Sequence, residues 1–218
     1  MATVWTVFVA ALITAIFTGL GALPFLFIRN VSGTFLGAAN AAAAGLMLGA
    51  SLGLIFEGYQ INGFRLIIGI TLGIALIIIA RYFLEDHDPD FEDLEGNADA
   101  MKMLLIIGIM TVHSFAEGIG VGVSFGEGEE LGALISTAIA IHNIPEGLAI
   151  ALVLIPRGST VWRAAGWSIF SSLPQPIMAV PAFLFVLAFK PFLPVGLGLA
   201  AGAMIWMVFS EMLPEARE

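Results

Sequence analysis

The chain has 218 residues, 59% of them hydrophobic and 11% charged, with a mean hydropathy of +1.01 and a formal net charge of -9. An apolar excess of that size excludes an ordinary soluble domain, and the lack of cysteine excludes disulfides, thiolate metal sites and thiol catalysis. Eight of the seventeen acids lie between Glu85 and Asp99, so the negative balance is a loop property; it argues neither for nor against nucleic acid, and no nucleic-acid partner is expected.

Crossing a hydrocarbon core of about 30 Å takes roughly 20 apolar residues per helix. The apolar runs are continuous and lack the ten-residue alternation of a barrel, so the expected fold is an all-α, polytopic transmembrane helix bundle with residues 1–218 as a single membrane-embedded domain. Seven spans are predicted. The first, Val4 to Ile28, has no basic residue before it and no cleavage pattern after it, and reads as a retained helix.

The second span, Leu36 to Tyr59, carries Gly45-Leu46-Met47-Leu48-Gly49-Ala50-Ser51. Met47 offers a soft thioether and Ser51 a hydroxyl one turn on, with plain packing as the alternative for Met47. Phe64 to Leu84 forms the third span. Small residues recur every four positions at Gly45, Gly49 and Gly53, at Gly69 and Gly73, and at Gly198 and Gly202, which predicts faces where helix backbones approach closely. Residues 85–100 follow as an acidic, solvated connection; its His87, among Asp86, Asp88 and Asp90, is either a loose metal site or simply part of that connector.

The fourth span, Met101 to Phe125, contains His113-Ser114-Phe115-Ala116-Glu117, and the fifth, Leu131 to Ile155, contains His142-Asn143-Ile144-Pro145-Glu146. Residues four apart share a helix face, so each histidine points the same way as its glutamate. One site is built from His113, Glu117, His142 and Glu146, and a neighbouring one from Ser114, Glu117, Asn143 and Glu146. Two neutral imidazoles and two carboxylates suit a borderline divalent ion such as zinc, iron(II), cobalt or manganese. The competing reading is an interhelical His–Glu hydrogen-bond network without metal. Pro145 removes the donor to the Ile141 carbonyl and loosens the helix beside the candidate ligands. Between the two spans, Glu127, Glu129 and Glu130 form either an acidic rim that concentrates cations or a plain solvated turn.

The sixth span, Ala164 to Phe189, is interrupted by Ser171-Ser172-Leu173-Pro174-Gln175-Pro176. Gln175 there either gives an oxygen to the second site or hydrogen-bonds the loosened backbone. The seventh runs from Leu193 to Leu213. Glu57 and Glu211, near the ends of the second and seventh spans, lie close enough to the interfaces to reach water. Arg29, Arg81, Lys102, Arg157, Arg163 and Arg217 fall at the odd-numbered connections and the C-terminal tail, and Arg65 and Lys190 at the even ones. That asymmetry places the N-terminus outside and the C-terminus in the cytoplasm of a plasma or inner membrane.

These residues together resemble the ZIP (Zrt/Irt-like) family of divalent metal transporters. His142-Asn143-Ile144-Pro145-Glu146-Gly147 is similar to that family's signature on its fifth helix, and His113-Ser114-Phe115-Ala116-Glu117-Gly118 to its counterpart on the fourth. Leu20-Gly21-Ala22-Leu23-Pro24, Gly45-Leu46-Met47, Ala200-Ala201-Gly202-Ala203-Met204 and Glu211-Met212-Leu213-Pro214-Glu215-Ala216 agree as well. The resemblance implies a mononuclear or binuclear metal site: His113, Glu117, His142, Glu146 and Met47 for the primary position, and Ser114, Glu117, Asn143, Glu146 and Gln175 for the secondary one. It implies movement of zinc or a similar ion (iron, manganese, cadmium or cobalt) toward the cytoplasm by an elevator-like motion of helices one, four, five and six against the rest. Ser114 stands where the family commonly has Asn, and Gln175 where many members carry a glutamate. Family members usually have eight helices, the last of which is missing from the seven spans seen here.

The metal is cargo, so no resident cofactor is expected and the chain is not expected to be an enzyme. Divalent metal ions and the lipid bilayer are the partners; a homodimer is compatible with the sequence, which does not fix the oligomeric state. An intramembrane metal-dependent hydrolase is the alternative from another class, although no His-Glu-x-x-His motif is present and no nucleophile or base stands ready. A proton-coupled carrier of another solute, using the same carboxylates without metal, is the second alternative.

Overall fold

Helix α1 (Val4–Leu20) starts at Thr3, whose hydroxyl accepts the Thr6 amide and satisfies one of the orphan donors of the first turn. After α1 a short 3-10 turn, Leu23–Leu26, begins with Pro24 near its start. Then come α2 (Gly33–Glu85), α3 (Ala98–Glu127), α4 (Glu129–Leu154), α5 (Val161–Ser172), α6 (Pro174–Ala188) and α7 (Leu193–Met207). A π-helical turn, Val208–Met212, and a last short turn, α8 (Leu213–Glu215), complete the order. The computed structural model describes residues 2–28, 32–85 and 98–215, and among these no strand occurs. His87 and most of the acidic connection lie outside the described residues, as does the side chain of Glu211.

Among the described residues, five segments are long and apolar enough to cross a membrane: Val4–Leu26, Gly33–Ala80, Glu129–Leu154, Val161–Ala188 and Lys190–Ser210. The surface supports the same placement. Trp5 is 71% exposed, Phe27 90% and Phe64 75%, and they stand among many other exposed large apolar side chains. Such a coat is a liability in water and the expected face toward lipid.

Gly33–Ala80 is 48 residues long and is interrupted at Asn62, whose backbone leaves the helical region (φ -165, ψ 102). Asn62 Oδ1 accepts the Arg65 amide, the arrangement of an N-cap starting a second helical arm. The sequence split this stretch at the same place. In the sixth predicted span, α5 ends at Ser172 and α6 begins at Pro174, so the double-proline motif sits at a helix junction and Gln175 in the first turn of α6.

Two helix groups emerge from the packing. α2 lies along α7, while α1, α3, α4 and α6, with α5, pack mainly on one another; α3 against α7 and α2 against α4 join the groups. The close approach of α2 and α7 follows from their glycines. A Cβ on Gly69 or Gly73 would sit 2.1 Å from the carbonyl oxygen of Val195 or Leu199, and one on Gly202 would sit 2.3 Å from that of Ile70. Gly45, Gly49 and Gly53 behave differently: nothing lies within 4 Å of a Cβ built there, so this stripe is not a packing face among the described residues. Their spacing is the same, but α2 turns that face away from α3, α4 and α7. Gly45→Ala is therefore expected to leave thermal stability in detergent unchanged or to raise it slightly, because alanine is the better helix former by about 1 kcal/mol.

Candidate metal centre

α3 and α4 each bring a histidine and a glutamate, one turn apart, to the face where the two helices meet. His113, Glu117, His142 and Glu146 are all buried, Glu117 completely. Two of the imidazoles close on one oxygen. His142 Nε2 is 3.4 Å and His113 Nε2 is 3.9 Å from Glu117 Oε1, and the two rings stack with centroids 5.7 Å apart. One ligand atom from each of His113, Glu117 and His142 lies within 4.8 Å of the others. Donors bound to one tetrahedral zinc at about 2.0–2.2 Å stand about 3.3–3.5 Å apart, so the His142 contact is already at ligand spacing and the His113 contact slightly wide.

The same atoms are ill served by the protein. Glu117 Oε1 and both ring nitrogens of His142 are buried without a hydrogen-bond partner. Buried polar groups are nearly always satisfied, and a carboxylate in a membrane interior is costly unless something compensates its charge. A dication would serve Glu117 Oε1 and one nitrogen of His142, Nε2, at once, so the donor set and its spacing fit a divalent metal.

Glu146 is not within that three-residue group, but it lines the same cavity as His113 and His142. The cavity has about 30 Å³ of room for water-sized occupants, enough for an ion with a water at its side. Pro145 and Ala149 line it from α4, Met110 from α3, Asn40 from α2 and Met212 from the π-helical turn. Asn40, Met110 and Met212 were not singled out in the sequence. Asn40 had a signal, being a lone polar residue two turns before Met47 in an apolar run; Met212 stood in the Glu211–Ala216 motif with no role of its own, and Met110 had no signal. Met47 itself is buried in the main apolar core and is not among the residues that line the cavity.

The residues expected at the second position form a different arrangement. Gln175 Nε2 donates to Glu117 Oε2 at 2.6 Å. Gln175 Oε1 accepts from Asn143 Nδ2 at 3.2 Å and from the Thr14 hydroxyl. Asn143 Nδ2 also donates to the Thr14 carbonyl at 2.8 Å. Reversing the Gln175 amide would set its oxygen against a carboxylate and its nitrogen against another amide nitrogen, so the network fixes its direction. Gln175 thus gives Glu117 a nitrogen, where the sequence suggested an oxygen for metal. Ser114 Oγ and Asn143 Oδ1 are buried without a hydrogen-bond partner. One turn further along α1, Thr18 Oγ1 lies 2.8 Å from Ser172 Oγ. Thr14 and Thr18, polar at four-residue spacing in the first span, were the unread signal for this network.

Membrane-length helices enclosing a buried His/Glu group of ligand spacing define a polytopic helical membrane protein with a candidate metal site. Comparison with known sequences gives the particular family. The pattern described as ZIP zinc transporter matches residues 85–218. Zinc transporter GufA of Myxococcus xanthus is 32% identical over 225 residues, covering 95% of this chain and 87% of that protein. Zinc transporter ZIPB of Bordetella bronchiseptica is 34% identical over 213 residues, covering 91% and 68%. A candidate zinc transporter of Arabidopsis thaliana is 49% identical over 215 residues, which are 97% of this chain but only 34% of the plant protein. The chain belongs to the ZIP zinc transporter family. That membership sets the hydrolase alternative aside, because the family is one of transporters.

Proposed function

We propose that the protein carries a divalent transition metal ion, zinc foremost, across a cell membrane toward the cytoplasm, binding it between α3 and α4. The observation that carries this reading is the convergence of His113 and His142 on Glu117 Oε1 inside a bundle of membrane-length helices. Glu146 completes the donor set from the shared cavity and supplies the second negative charge. The carboxylates balance the ion, and the imidazoles add affinity and disfavour hard, oxygen-seeking cations such as magnesium. Met47 remains a packing residue in this reading.

Seven crossings follow if Gly33–Ala80 crosses twice, with Asn62 at its turn, and Ala98–Glu127 crosses once. The basic residues then put the N-terminus outside and the C-terminus in the cytoplasm. The grouping of α1, α3, α4, α5 and α6 apart from α2 and α7 supports an elevator-type movement in which the first group carries the ion past the second. Such movement needs two arrangements of the α3/α7 and α2/α4 contacts.

Uptake into proteoliposomes tests the reading. His142→Ala is expected to cut zinc uptake at least about ten-fold, since even a partner of a ligand is commonly worth 10–100-fold in metal affinity. Uptake at the unmodified rate would remove His142 from the ion path.

A further inference from the structure

Glu117 and Glu146 are the only buried carboxylates among the described residues. Their two negative charges balance one divalent ion. A second would leave a net charge of +2 in a buried site, which no described neighbour offsets. The residues beside Glu117 that would hold a second ion are neutral: Ser114, Asn143 and Gln175. The far oxygen of Glu117 already accepts a 2.6 Å hydrogen bond from Gln175, whose own oxygen is taken by Thr14 and Asn143.

We propose that Gln175 is a positioning residue that makes this a one-ion site, by holding Glu117 Oε2 so that only Oε1 is presented to metal between His113 and His142. The proposal rests on the metal-carrying role given above. The clamp is shared among four helices: Thr14 on α1, Glu117 on α3, Asn143 on α4 and Gln175 on α6. It therefore fixes the ligand oxygen relative to the helix group as a whole. A glutamate at position 175 could not donate in the same way once ionised; it would add the charge that a second ion requires.

The test is the number of zinc ions bound per purified full-length chain, measured by equilibrium dialysis with elemental analysis on the unmodified protein, Gln175→Glu and His142→Ala. One ion on the unmodified protein and two on Gln175→Glu support the proposal. Two ions on the unmodified protein, or one on a folded Gln175→Glu, overturn it. Should Gln175→Glu fail to fold, Thr14→Val removes one donor from Gln175 Oε1; it is expected to bind one ion about ten-fold more weakly, the low end of the range for outer partners of a ligand, with an altered cobalt(II) absorption spectrum. Unaltered affinity and spectrum in that variant overturn the positioning role. The two readings fail separately. Absence of bound zinc, or binding unaffected by His142→Ala, brings down the metal-carrying role and this proposal with it; two ions that are lost in His142→Ala remove only the one-ion clamp.

Discussion

Glu117→Gln is expected to weaken zinc binding by at least about 100-fold while leaving the protein folded. The side chain is fully buried, and its Oε1 is the atom on which both imidazoles close, at 3.4 and 3.9 Å. The substitution keeps the shape but removes one of two charges that balance the ion. Partners that merely orient a ligand are commonly worth 10–100-fold in affinity, so loss of a charged ligand should exceed that range. Folding survives because the new amide oxygen can accept the Gln175 Nε2 hydrogen bond. Titration of the purified variant with zinc, beside its melting curve, separates the two effects. Affinity within threefold of the unmodified protein would exclude Glu117 as a ligand.

Gly147→Ala is expected to lower the melting temperature by about 2–12 °C and to abolish uptake. A Cβ at Gly147 would sit 1.7 Å from the Thr18 carbonyl oxygen, and one at Gly21 would sit 2.2 Å from the Ile144 carbonyl oxygen, so α1 and α4 touch backbone to backbone. Neither contact can be relieved by a rotamer change. Overpacking of this kind costs about 1–3 kcal/mol, and each kcal/mol moves the midpoint of a domain this size by about 2–4 °C. The effect reaches the site because Glu146 adjoins Gly147 and because Thr14, one turn from Thr18, holds Asn143 and Gln175. Differential scanning fluorimetry in detergent, with Gly45→Ala as the comparison, reads it directly. Equal midpoints for the two variants would show that the α1/α4 contact is looser than described.

The contrast between these glycines shows where the sequence stops informing. Gly45, Gly49 and Gly53 have the same period as Gly69 and Gly73, yet only the latter pair meets another backbone. Period fixes which residues share a face; it does not fix which neighbour that face meets. For the same reason the nearness of His113 to Glu117 was legible, since the i, i+4 relation lies within one helix, whereas His142 meets Glu117 of the other helix. Convergence of the two pairs was a reasonable inference from their matched motifs, although Glu146 stands outside the closest group. Met110 and Met212 were not legible, because the cavity they line is set by how far α3 and the π-helical turn slide and rotate relative to α4. Gln175 was located but its direction was not: which end of an amide faces Glu117 depends on Thr14 and Asn143, which lie 161 and 32 residues away in sequence. The break at Asn62 was legible, since a polar residue followed by glycine interrupts the apolar run at that point.

Zinc K-edge X-ray absorption on the metal-loaded protein tests the site most directly. The expected spectrum shows a first shell of nitrogen and oxygen at about 2.0–2.2 Å with the outer-shell scattering of two imidazole rings, reduced to one ring in His142→Ala or His113→Ala. A spectrum without imidazole scattering, or one unchanged by both substitutions, would contradict the placement of the ion between α3 and α4.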